Sequence, residues 1–299
     1  MTASRAVLVT GCSTGIGRAT ALELADDFTV YATARGVESL RDLESAGCRV
    51  LPLDVTDEDS MAAAVEAVEA EAGSVGALVN NAGYSQSGAL ETLPMGSVRR
   101  QFDTNVFGLL RLCQLALPGM RRAGGGRIVN IGSMGGRLTL PGAGAYHATK
   151  YAVEALSDAL RFEVQGFGVQ VVLVEPGLIR SDFARTAVDS VADGGGGEPY
   201  RRFNEAVRRT TAAAYRGRFV GRLGGGPESV ARIVRTALTA DRPRARYTVT
   251  PSAKLAIAQR RVTPDRLWDR ALRLRYPVPS DPGPSDPVPS DPVPSDRAR

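Results

Sequence analysis

The stretch Ala6-Val-Leu-Val-Thr-Gly-Cys-Ser-Thr-Gly-Ile-Gly17 joins a short apolar run to a glycine-rich turn, and a helical pattern follows it. The apolar run predicts a strand, and the pattern after the turn predicts a helix. Glycines permit a tight turn and a close approach of a ligand to the backbone. Because a helix N-terminus attracts phosphate, this order indicates a dinucleotide site, although the spacing is Gly-x-x-x-Gly-x-Gly rather than the commoner Gly-x-Gly-x-x-Gly.

The alternation of short apolar runs and longer helical patterns continues along the chain. The runs are nearly uninterrupted, which is typical of strands covered by helices on both faces. The sequence therefore predicts an α/β fold: one Rossmann-type domain, residues 1–276, with a doubly wound parallel sheet of about seven strands. The predicted strands are Ala6–Thr10, Thr29–Ala34, Arg49–Leu53, Ala77–Asn80, Arg127–Ile131, Gln170–Glu175 and Arg246–Thr250. The predicted helices are Gly15–Asp26, Val37–Ala46, Asp57–Ala72, Met95–Arg122, Tyr146–Gln165 and Pro227–Ala240.

Two segments interrupt this alternation. Residues 178–226 form a long excursion after the sixth predicted strand, with glycine runs at 194–197 and 224–226 and a helical piece over Pro199–Tyr215. An insertion at the carboxyl edge of the sheet is where a mobile substrate lid would lie. Residues 277–299 repeat the unit Pro-Val-Pro-Ser-Asp with one variant, and proline at alternate positions predicts an extended, disordered tail.

Composition limits the class of protein. The chain has 299 residues, 43% of them apolar, which suits one large soluble core. It holds no run of about 18 or more apolar residues, so we expect no membrane span, and the direct start on a strand indicates no signal peptide. Three scattered cysteines and a single histidine fit no metal site, and the cysteine pattern suits a cytoplasmic location.

The net charge of +5 conceals an asymmetry. Residues 200–276 contain 19 basic and 5 acidic side chains, whereas residues 1–199 contain 16 and 23. A basic region of this kind can mark a nucleic-acid or membrane-surface patch. Its arginines, however, lie in helical segments without interleaved aromatic residues or a basic-region motif. The sequence therefore favours solvated helix faces and predicts no nucleic-acid partner.

Tyr146 and Lys150 are four residues apart in a predicted helix, in a chain where only two of the 37 basic residues are lysines. Positions i and i+4 share one helix face, so the phenol and the ammonium point into the same space. A nearby positive charge is expected to lower the pKa of the phenol from its ordinary value of about 10, which suits general acid–base catalysis. A surface tyrosine and lysine is the plain alternative for such a pair found alone.

Further motifs follow the ends of the predicted strands in order. They are Asp54-Val55, Asn80-Asn-Ala-Gly83, Ser133 and Pro176-Gly177, after the third, fourth, fifth and sixth strands. Together with the glycine turn and the Tyr146/Lys150 pair, they make the chain resemble the classical short-chain dehydrogenases/reductases from about Ala6 to Arg180, and more loosely to Pro251.

Three stretches are most similar to one branch of that family, the 17β-hydroxysteroid and retinol dehydrogenases. They are Thr10–Gly17, Val30-Tyr-Ala-Thr-Ala-Arg35 and Val174-Glu-Pro-Gly177.

The resemblance implies four catalytic residues. Tyr146 would be the general acid in carbonyl reduction and the base in the reverse reaction, and Lys150 would bind the nicotinamide ribose and keep the phenol acidic. Ser133 would bind the substrate and polarise its oxygen as charge develops. Asn105 would hold a water that continues a proton path from Lys150, although an asparagine inside an apolar helix is as often a packing residue.

The resemblance also implies a set of cofactor contacts. An acidic residue after the second strand normally binds the ribose 2′-OH of NAD, but this strand ends in Arg35, and no carboxylate precedes Glu38. Because guanidinium binds a 2′-phosphate strongly, we predict NADP(H) in preference to NAD(H), with Ser13 and Thr14 also near the phosphate. The expected contacts are Gly11, Ser13, Thr14, Gly15, Ile16, Gly17, Arg35, Asp54, Val55, Asn81, Ala82, Gly83, Tyr146, Lys150, Pro176, Gly177, Ile179 and Ser181.

We thus expect an oxidoreductase that interconverts a lipophilic ketone or aldehyde and its alcohol, since the candidate pocket residues are largely apolar. They are Met134, Leu138, Leu140, Leu178 and Phe183. A non-catalytic dinucleotide-sensing or scaffold protein of the same fold is the alternative. A serine hydrolase is a weak third possibility, because Gly132-Ser-Met-Gly135 lacks the Gly-x-Ser-x-Gly spacing and His147 is poorly placed as a base.

We also expect a homodimer or homotetramer. Two predicted helices, Met95–Arg122 and Tyr146–Gln165, have apolar residues on more than one side. A helix that is hydrophobic all round must bury its second face, and members of the resembled family usually do so by pairing these helices across a two-fold axis.

Overall fold

The computed structural model describes residues 4–191, 197–216 and 223–280. Its strands are β1 Ala6–Val9, β2 Thr29–Ala34, β3 Arg49–Pro52, β4 Ala77–Asn80, β5 Gly126–Ile131, β6 Val169–Glu175 and β7 Arg246–Thr248. They form one parallel sheet of seven strands, as the sequence predicts, and their order is β3-β2-β1-β4-β5-β6-β7. The order reverses between β1 and β4, so the loops that follow these two strands open a crevice at the carboxyl edge of the sheet.

The helices lie on both faces of the sheet. In the described residues they are α1 Gly15–Leu24, α2 Arg41–Ser45, α3 Glu58–Ala72, α4 Met95–Phe102, α5 Gly108–Arg122, α6 Gly144–Val164, α7 Phe183–Asp189, α8 Gly197–Arg216, α9 Pro227–Thr239, α10 Pro251–Val262 and α11 Asp265–Arg273. None of them combines the length and the hydropathy needed to cross a membrane.

Two apolar layers hold the sheet, one against each set of helices. The side chains of β1 alternate between them, because successive side chains of a strand point to opposite faces. Ala6 and Leu8 belong to the layer that includes α3, α5 and α6, whereas Val7 and Val9 belong to the layer that includes α1, α2 and α9. Both faces of the strand are therefore buried, which explains its uninterrupted apolar sequence.

The predicted helix Met95–Arg122 is present as one continuous helical segment, but it is not α-helical throughout. A π-helical turn, Asp103–Phe107, separates α4 from α5. Gly108, which follows the turn, lies so close to the chain after β3 that a Cβ there would be 2.1 Å from the Val55 carbonyl oxygen. The tertiary contact, and not the helical pattern, sets the path of the backbone at this point. The predicted helix Val37–Ala46 is likewise a 3₁₀ turn, Val37–Leu40, followed by α2.

The 178–226 insertion leaves and rejoins the body of the domain at one place. Ile179 and Gly225 form an isolated parallel bridge, and the Gly225 amide donates to the Leu178 carbonyl at 3.0 Å. Its described parts contain α7 and α8, so the expected helical piece is present, whereas the glycine run at 194–197 lies mostly outside the described residues. Residues 277–280 have no regular secondary structure, and the rest of the predicted tail, 281–299, also lies outside them.

A group of charges, in which the two carboxylates Glu154 and Glu175 are buried, ties α6 to the edge of the sheet. Arg246 on β7 donates to Glu154 on α6 at 3.2 Å, and Arg137 lies 3.4 Å from Glu175 at the end of β6. Thr248 also donates to Glu175, at 2.8 Å. One oxygen of Glu154, Oε1, is buried without a hydrogen-bond partner. Burial and the negative charge of Glu175 raise the pKa of Glu154 to about 7.

Replacing Gly108 with alanine tests the contact after the π-helical turn. In an unconstrained helix alanine stabilises by about 0.5–1 kcal/mol relative to glycine. Here the overlap with the Val55 carbonyl should outweigh that gain and lower the free energy of unfolding by about 1–3 kcal/mol. Urea unfolding measures the change. The matched control is Gly166→Ala, where a Cβ would meet nothing within 4 Å. Equal stabilities for the two variants would contradict the argument.

Replacing Glu154 with glutamine tests the buried carboxyl. Its pKa is raised in the folded state from 4.5 to about 7, so the folded state holds a proton that the unfolded chain has released. The resulting stability is fully present below pH 4.5 and is lost as the pH rises through about 7. Unfolding at a series of pH values should show wild type losing stability relative to Glu154→Gln across this window. Glu163→Gln, an exposed change on the same helix, should leave the pH dependence as it is. Parallel curves for wild type and Glu154→Gln would contradict the prediction.

Candidate active site

The loops after β1 and β4 are joined by hydrogen bonds at the point where the strand order reverses. The Asn81 side chain donates to the carbonyls of Thr10 and Gly11 at 2.9 and 3.1 Å. The backbone amides of Asn81 and Ala82 both donate to the Thr10 hydroxyl at 3.0 Å. The Asn81 motif and the glycine turn, which the sequence places about seventy residues apart, therefore form one wall.

The glycines of the turn have different reasons to be glycine. Gly11 and Gly15 have φ of 71° and 59°, in the left-handed region that glycine tolerates best. Gly17 has no room for a side chain, because a Cβ would lie 2.2 Å from the Gly11 carbonyl oxygen. The N-terminus of α1 has no side-chain cap at Thr14, so the first amides of the helix are free to bind an anion in the cleft.

The predicted catalytic side chains come from β5 and α6. Ser133 follows β5 in extended conformation, and its hydroxyl accepts from the Gly135 amide at 3.0 Å. Lys150 is buried, donates to the Ile131 carbonyl at 2.8 Å, and has its Nζ 5.9 Å from the centre of the Tyr146 ring. The structure thus places the phenol, the ammonium and the serine together, as expected.

The expected lowering of the phenol pKa is not what the structure gives. Burial raises the pKa of Tyr146 above its ordinary value, and a hydrogen bond with Ser133 only partly opposes this. The Phe183 ring, 5.4 Å from the Tyr146 ring, contributes to the apolar surroundings. Burial also lowers the pKa of Lys150 to about 8, so the ammonium loses its proton more readily than it would on a surface. For the pKa of Tyr146, desolvation therefore outweighs the positive charge of Lys150.

Asn105 lies behind the cleft, inside the π-helical turn. It is buried, its Oδ1 accepts from the Tyr84 amide at 3.1 Å, and its Nδ2 donates to the Tyr84 carbonyl and to the Thr149 hydroxyl at 2.9 and 3.0 Å. These bonds connect the chain after β4 to α6, one residue before Lys150. The side chain thus has a structural function, and its expected part in a proton path stays a prediction.

One large cleft of about 1630 Å³ runs along the carboxyl edge of the sheet. Nearly all of the predicted site residues line it; Gly17 and Asn105 do not, because Gly17 lies under the turn and Asn105 lies behind Tyr84. Those that do are Gly11, Ser13, Thr14, Gly15, Ile16, Arg35, Asp54, Val55, Asn81, Ala82, Gly83, Ser133, Tyr146, Lys150, Pro176, Gly177, Ile179 and Ser181. The apolar pocket candidates Met134, Leu138, Leu140, Leu178 and Phe183 line it as well.

The cleft also has walls that the sequence reasoning did not include. They come from the chain after β4, from α8 and from the C-terminal helices, and they include Tyr84, Tyr215, Trp268, Leu272 and Tyr276. The start of α10 could have been predicted from the sequence, because Thr250-Pro251 is a typical helix start. In the structure Thr250 caps the helix by accepting from the Ala253 amide, and Pro251 occupies the first position. The helical spacing of Trp268, Leu272 and Tyr276, at i, i+4 and i+8 in and just after α11, was a second sequence signal for this wall.

His147 does not serve Ser133 as a base. Its Nδ1 donates to the Gly135 carbonyl at 2.8 Å, and burial lowers the pKa of its ring. The ring is buried, and the backbone beside the serine holds it in place. The serine hydrolase interpretation therefore lacks its base.

Comparisons with known proteins agree with this geometry. The family described as short chain dehydrogenase matches residues 5–191. Human 17-beta-hydroxysteroid dehydrogenase type 1 is 36% identical over 260 residues, covering 82% of this chain and 77% of the relative. The NADPH-dependent 3-dehydrocapnine reductase of Ornithobacterium rhinotracheale is 33% identical over 279 residues, covering 89% and 95%.

A solved structure extends the agreement to the fold. A short-chain dehydrogenase from Streptomyces avermitilis has a TM-score of 0.72 and 34% identity, over 91% of this chain and 98% of the other. The resemblance read from the motifs is thereby confirmed, including its branch. The chain belongs to the short-chain dehydrogenase family, as an oxidoreductase of the branch that contains 17β-hydroxysteroid dehydrogenase and acts on CH–OH donors.

Proposed function

We propose that this oxidoreductase uses NADP(H) to interconvert a lipophilic ketone or aldehyde and the corresponding alcohol, with Tyr146 as general acid and base. The observation that carries the proposal is the meeting of Ser133, Tyr146 and Lys150 in the same cleft as the glycine turn. A non-catalytic sensor or scaffold would have no need for a serine, a phenol and an ammonium brought together in this cleft, so this alternative is not favoured.

The cleft fits a dinucleotide on the evidence of its own backbone. Positive φ at Gly11 and Gly15 and the uncapped N-terminus of α1 form a cradle in which side chains would obstruct a pyrophosphate. Asp54 and Val55 would lie along the adenine, and Asn81–Gly83 along its ribose. When bound, the nicotinamide supplies or accepts the hydride.

Arg35 supports a preference for NADP(H). It is exposed at the end of β2 and lines the cleft, where the family's NAD-dependent members would carry a carboxylate. A guanidinium can bind a 2′-phosphate with two hydrogen bonds, whereas a carboxylate would repel it. The NADPH dependence in the name of the 3-dehydrocapnine reductase is consistent with this preference.

The proton chemistry follows from the surroundings of Tyr146. Because burial raises its pKa, the phenol is protonated at neutral pH and can donate to the oxygen of a carbonyl substrate. The Ser133 hydroxyl can donate a hydrogen bond to the same oxygen and stabilise the negative charge that develops there. Lys150 would hold the ribose of the cofactor, and its ammonium would then offset the phenolate left by proton transfer.

The substrate end of the cleft favours an apolar molecule. Leu138, Phe183 and Leu272 are among its lining residues. The volume of about 1630 Å³ exceeds the 300–1,000 Å³ or so that is common for a single ligand, so a dinucleotide leaves room for a sizeable second molecule. Closure of the apolar walls would exclude water from the hydride transfer.

We also propose that the protein forms a homodimer or homotetramer. Phe107, at the end of the π-helical turn before α5, and Phe162, on α6, are 57% and 77% exposed. Several leucines of these two helices are also partly exposed, whereas Leu112 and Val153 are buried in the sheet layer. The pairing of these helices between copies would cover the exposed rings.

Replacing Tyr146 with phenylalanine tests the acid–base role. Loss of the hydroxyl should lower kcat for ketone reduction by about 10²-fold or more, while NADPH binding changes little. Steady-state NADPH oxidation and fluorescence titration of NADPH give the two values. The matched control is Tyr151→Phe, an exposed tyrosine on the same helix. Full turnover in Tyr146→Phe would refute the role.

Replacing Arg35 with alanine tests the cofactor preference. The loss of a charge-assisted bond worth about 1.5–3 kcal/mol should lower kcat/KM for NADPH by about 10–100-fold and leave NADH nearly unaffected. Arg41→Ala, an exposed change that does not line the cleft, should alter neither value. A wild-type enzyme with higher kcat/KM for NADH than for NADPH would overturn the preference.

A further inference from the structure

The C-terminal helices α10 and α11 expose large apolar side chains. Leu255 and Val262 on α10 are 57% and 79% exposed, and Leu267 and Leu274 at α11 are 57% and 86% exposed. Each pair is seven residues apart, which places its members on one face of a helix. The alanines Ala258 and Ala271, also exposed, lie between them on the same faces. Each helix therefore has an outward apolar stripe.

Basic side chains surround these stripes. Residues 251–276 contain seven basic and two acidic residues. Arg260 is paired with Asp265 at 2.5 Å and lies over the Trp268 ring, which leaves six further basic residues and one acidic residue. All six are exposed: Lys254, Arg261, Arg266, Arg270, Arg273 and Arg275. Apolar stripes rimmed by arginine are complementary to an anionic lipid surface, where the leucines and the valine enter the acyl boundary and the cations contact headgroups.

The opposite face of α11 faces the cleft. Leu272 and Tyr276 belong to an apolar cluster with Phe203 and Val207 of α8, and the Phe203 and Tyr276 rings are 6.4 Å apart. Trp268, Leu272 and Tyr276 also line the cleft. One face of the helix is thus fixed on the domain beside the substrate site, and the other carries the outward leucines.

We propose that α10 and α11 form a docking surface for an anionic lipid bilayer, through which a lipophilic substrate reaches the cleft from the membrane. Leu255 is both exposed and part of the cleft wall, so the surface and the mouth of the cleft are continuous. The sequence favoured solvated helix faces for this basic region, whereas the structure places exposed apolar side chains at i and i+7 among its cations, beside the mouth of the cleft. The route for substrate rests on the proposed function, whereas the docking itself does not.

Vesicle flotation of the full-length protein tests the docking. The vesicles consist of phosphatidylcholine alone or of phosphatidylcholine mixed with anionic phosphatidylglycerol, with no cofactor or substrate added. We expect binding to the mixed vesicles, much weaker binding to phosphatidylcholine alone, and loss of binding as salt is raised to about 1 M, where charges are screened within about 3 Å. Tyr146→Phe should bind equally, which separates docking from the catalytic proposal.

Two matched double variants test which residues dock. Leu267→Gln with Leu274→Gln should weaken vesicle binding by about tenfold or more, since two leucine side chains no longer enter the acyl boundary of the bilayer. Leu22→Gln with Leu90→Gln changes two exposed leucines elsewhere and should leave binding unchanged. Circular dichroism and turnover of a water-soluble ketone should be the same for both variants as for wild type, which shows that each is folded.

Several results would overturn the proposal. One is the absence of vesicle binding, and another is equal binding to both vesicle types regardless of salt. A third is unchanged binding of the Leu267/Leu274 variant. If that variant instead sediments as a smaller species, the surface joins copies of this chain. A fourth variant changes Asp281, Asp286, Asp291 and Asp296 of the tail to asparagine. If this variant binds vesicles and wild type does not, the acidic tail, and not a bilayer, covers the surface of α10 and α11.

Discussion

The hydrogen bonds from Asn81 to the carbonyls of Thr10 and Gly11 hold together the two loops on which the cleft depends. Parallel strands that the chain visits far apart in sequence bring their loops to one edge, but they do not by themselves fix the distance between those loops. The amide does so, and the missing side chain of Gly17 leaves room for it, since a Cβ there would also lie 2.5 Å from the Asn81 nitrogen. Together with the two backbone amides that donate to the Thr10 hydroxyl, these bonds make one wall of the glycine turn and the Asn81 loop.

Burial, rather than a neighbouring charge, dominates the electrostatics of the catalytic group. Both members of the Tyr146/Lys150 pair shift toward their neutral forms, because each is desolvated. A protonated phenol suits the proposed carbonyl reduction, which would begin with a proton on Tyr146. In that proposal the Ser133 hydroxyl and the Lys150 ammonium would act when negative charge appears on the oxygens, which is where stabilisation raises the rate.

The sequence predicted the sheet well for a physical reason. A parallel strand covered on both faces, such as β1 or β6, is an uninterrupted apolar run, and its ends are marked by glycine or polar residues. The π-helical turn between α4 and α5 was not predictable, since Phe102, Val106 and Leu109 continue an ordinary helical pattern through it. It depends on the approach of Gly108 to the Val55 carbonyl, a contact between segments that no local pattern records.

The catalytic motifs were predictable for a different reason from the far wall of the cleft. Ser133 and Tyr146 are fixed by their positions after a strand and at the start of a helix, so order in the sequence determines their place. Trp268 and Leu272 lie on a helix whose amphipathic pattern gives an apolar side but not its direction. Only the packing of that side on Phe203 of α8 decides that it faces the cleft.

Lysine is rare in this chain, and its presence at position 150 has a chemical reason. Arginine is the usual cation of this chain, and exposed arginines surround the C-terminal helices, where a delocalised and permanently charged group suits headgroups or water. Position 150 is buried, with its Nζ donating to the Ile131 carbonyl and its pKa lowered to about 8. A guanidinium would stay charged at this buried place, whereas a lysine is a compact cation whose charge responds to its surroundings. This difference is a physical reason for a lysine, rather than the usual arginine, at position 150.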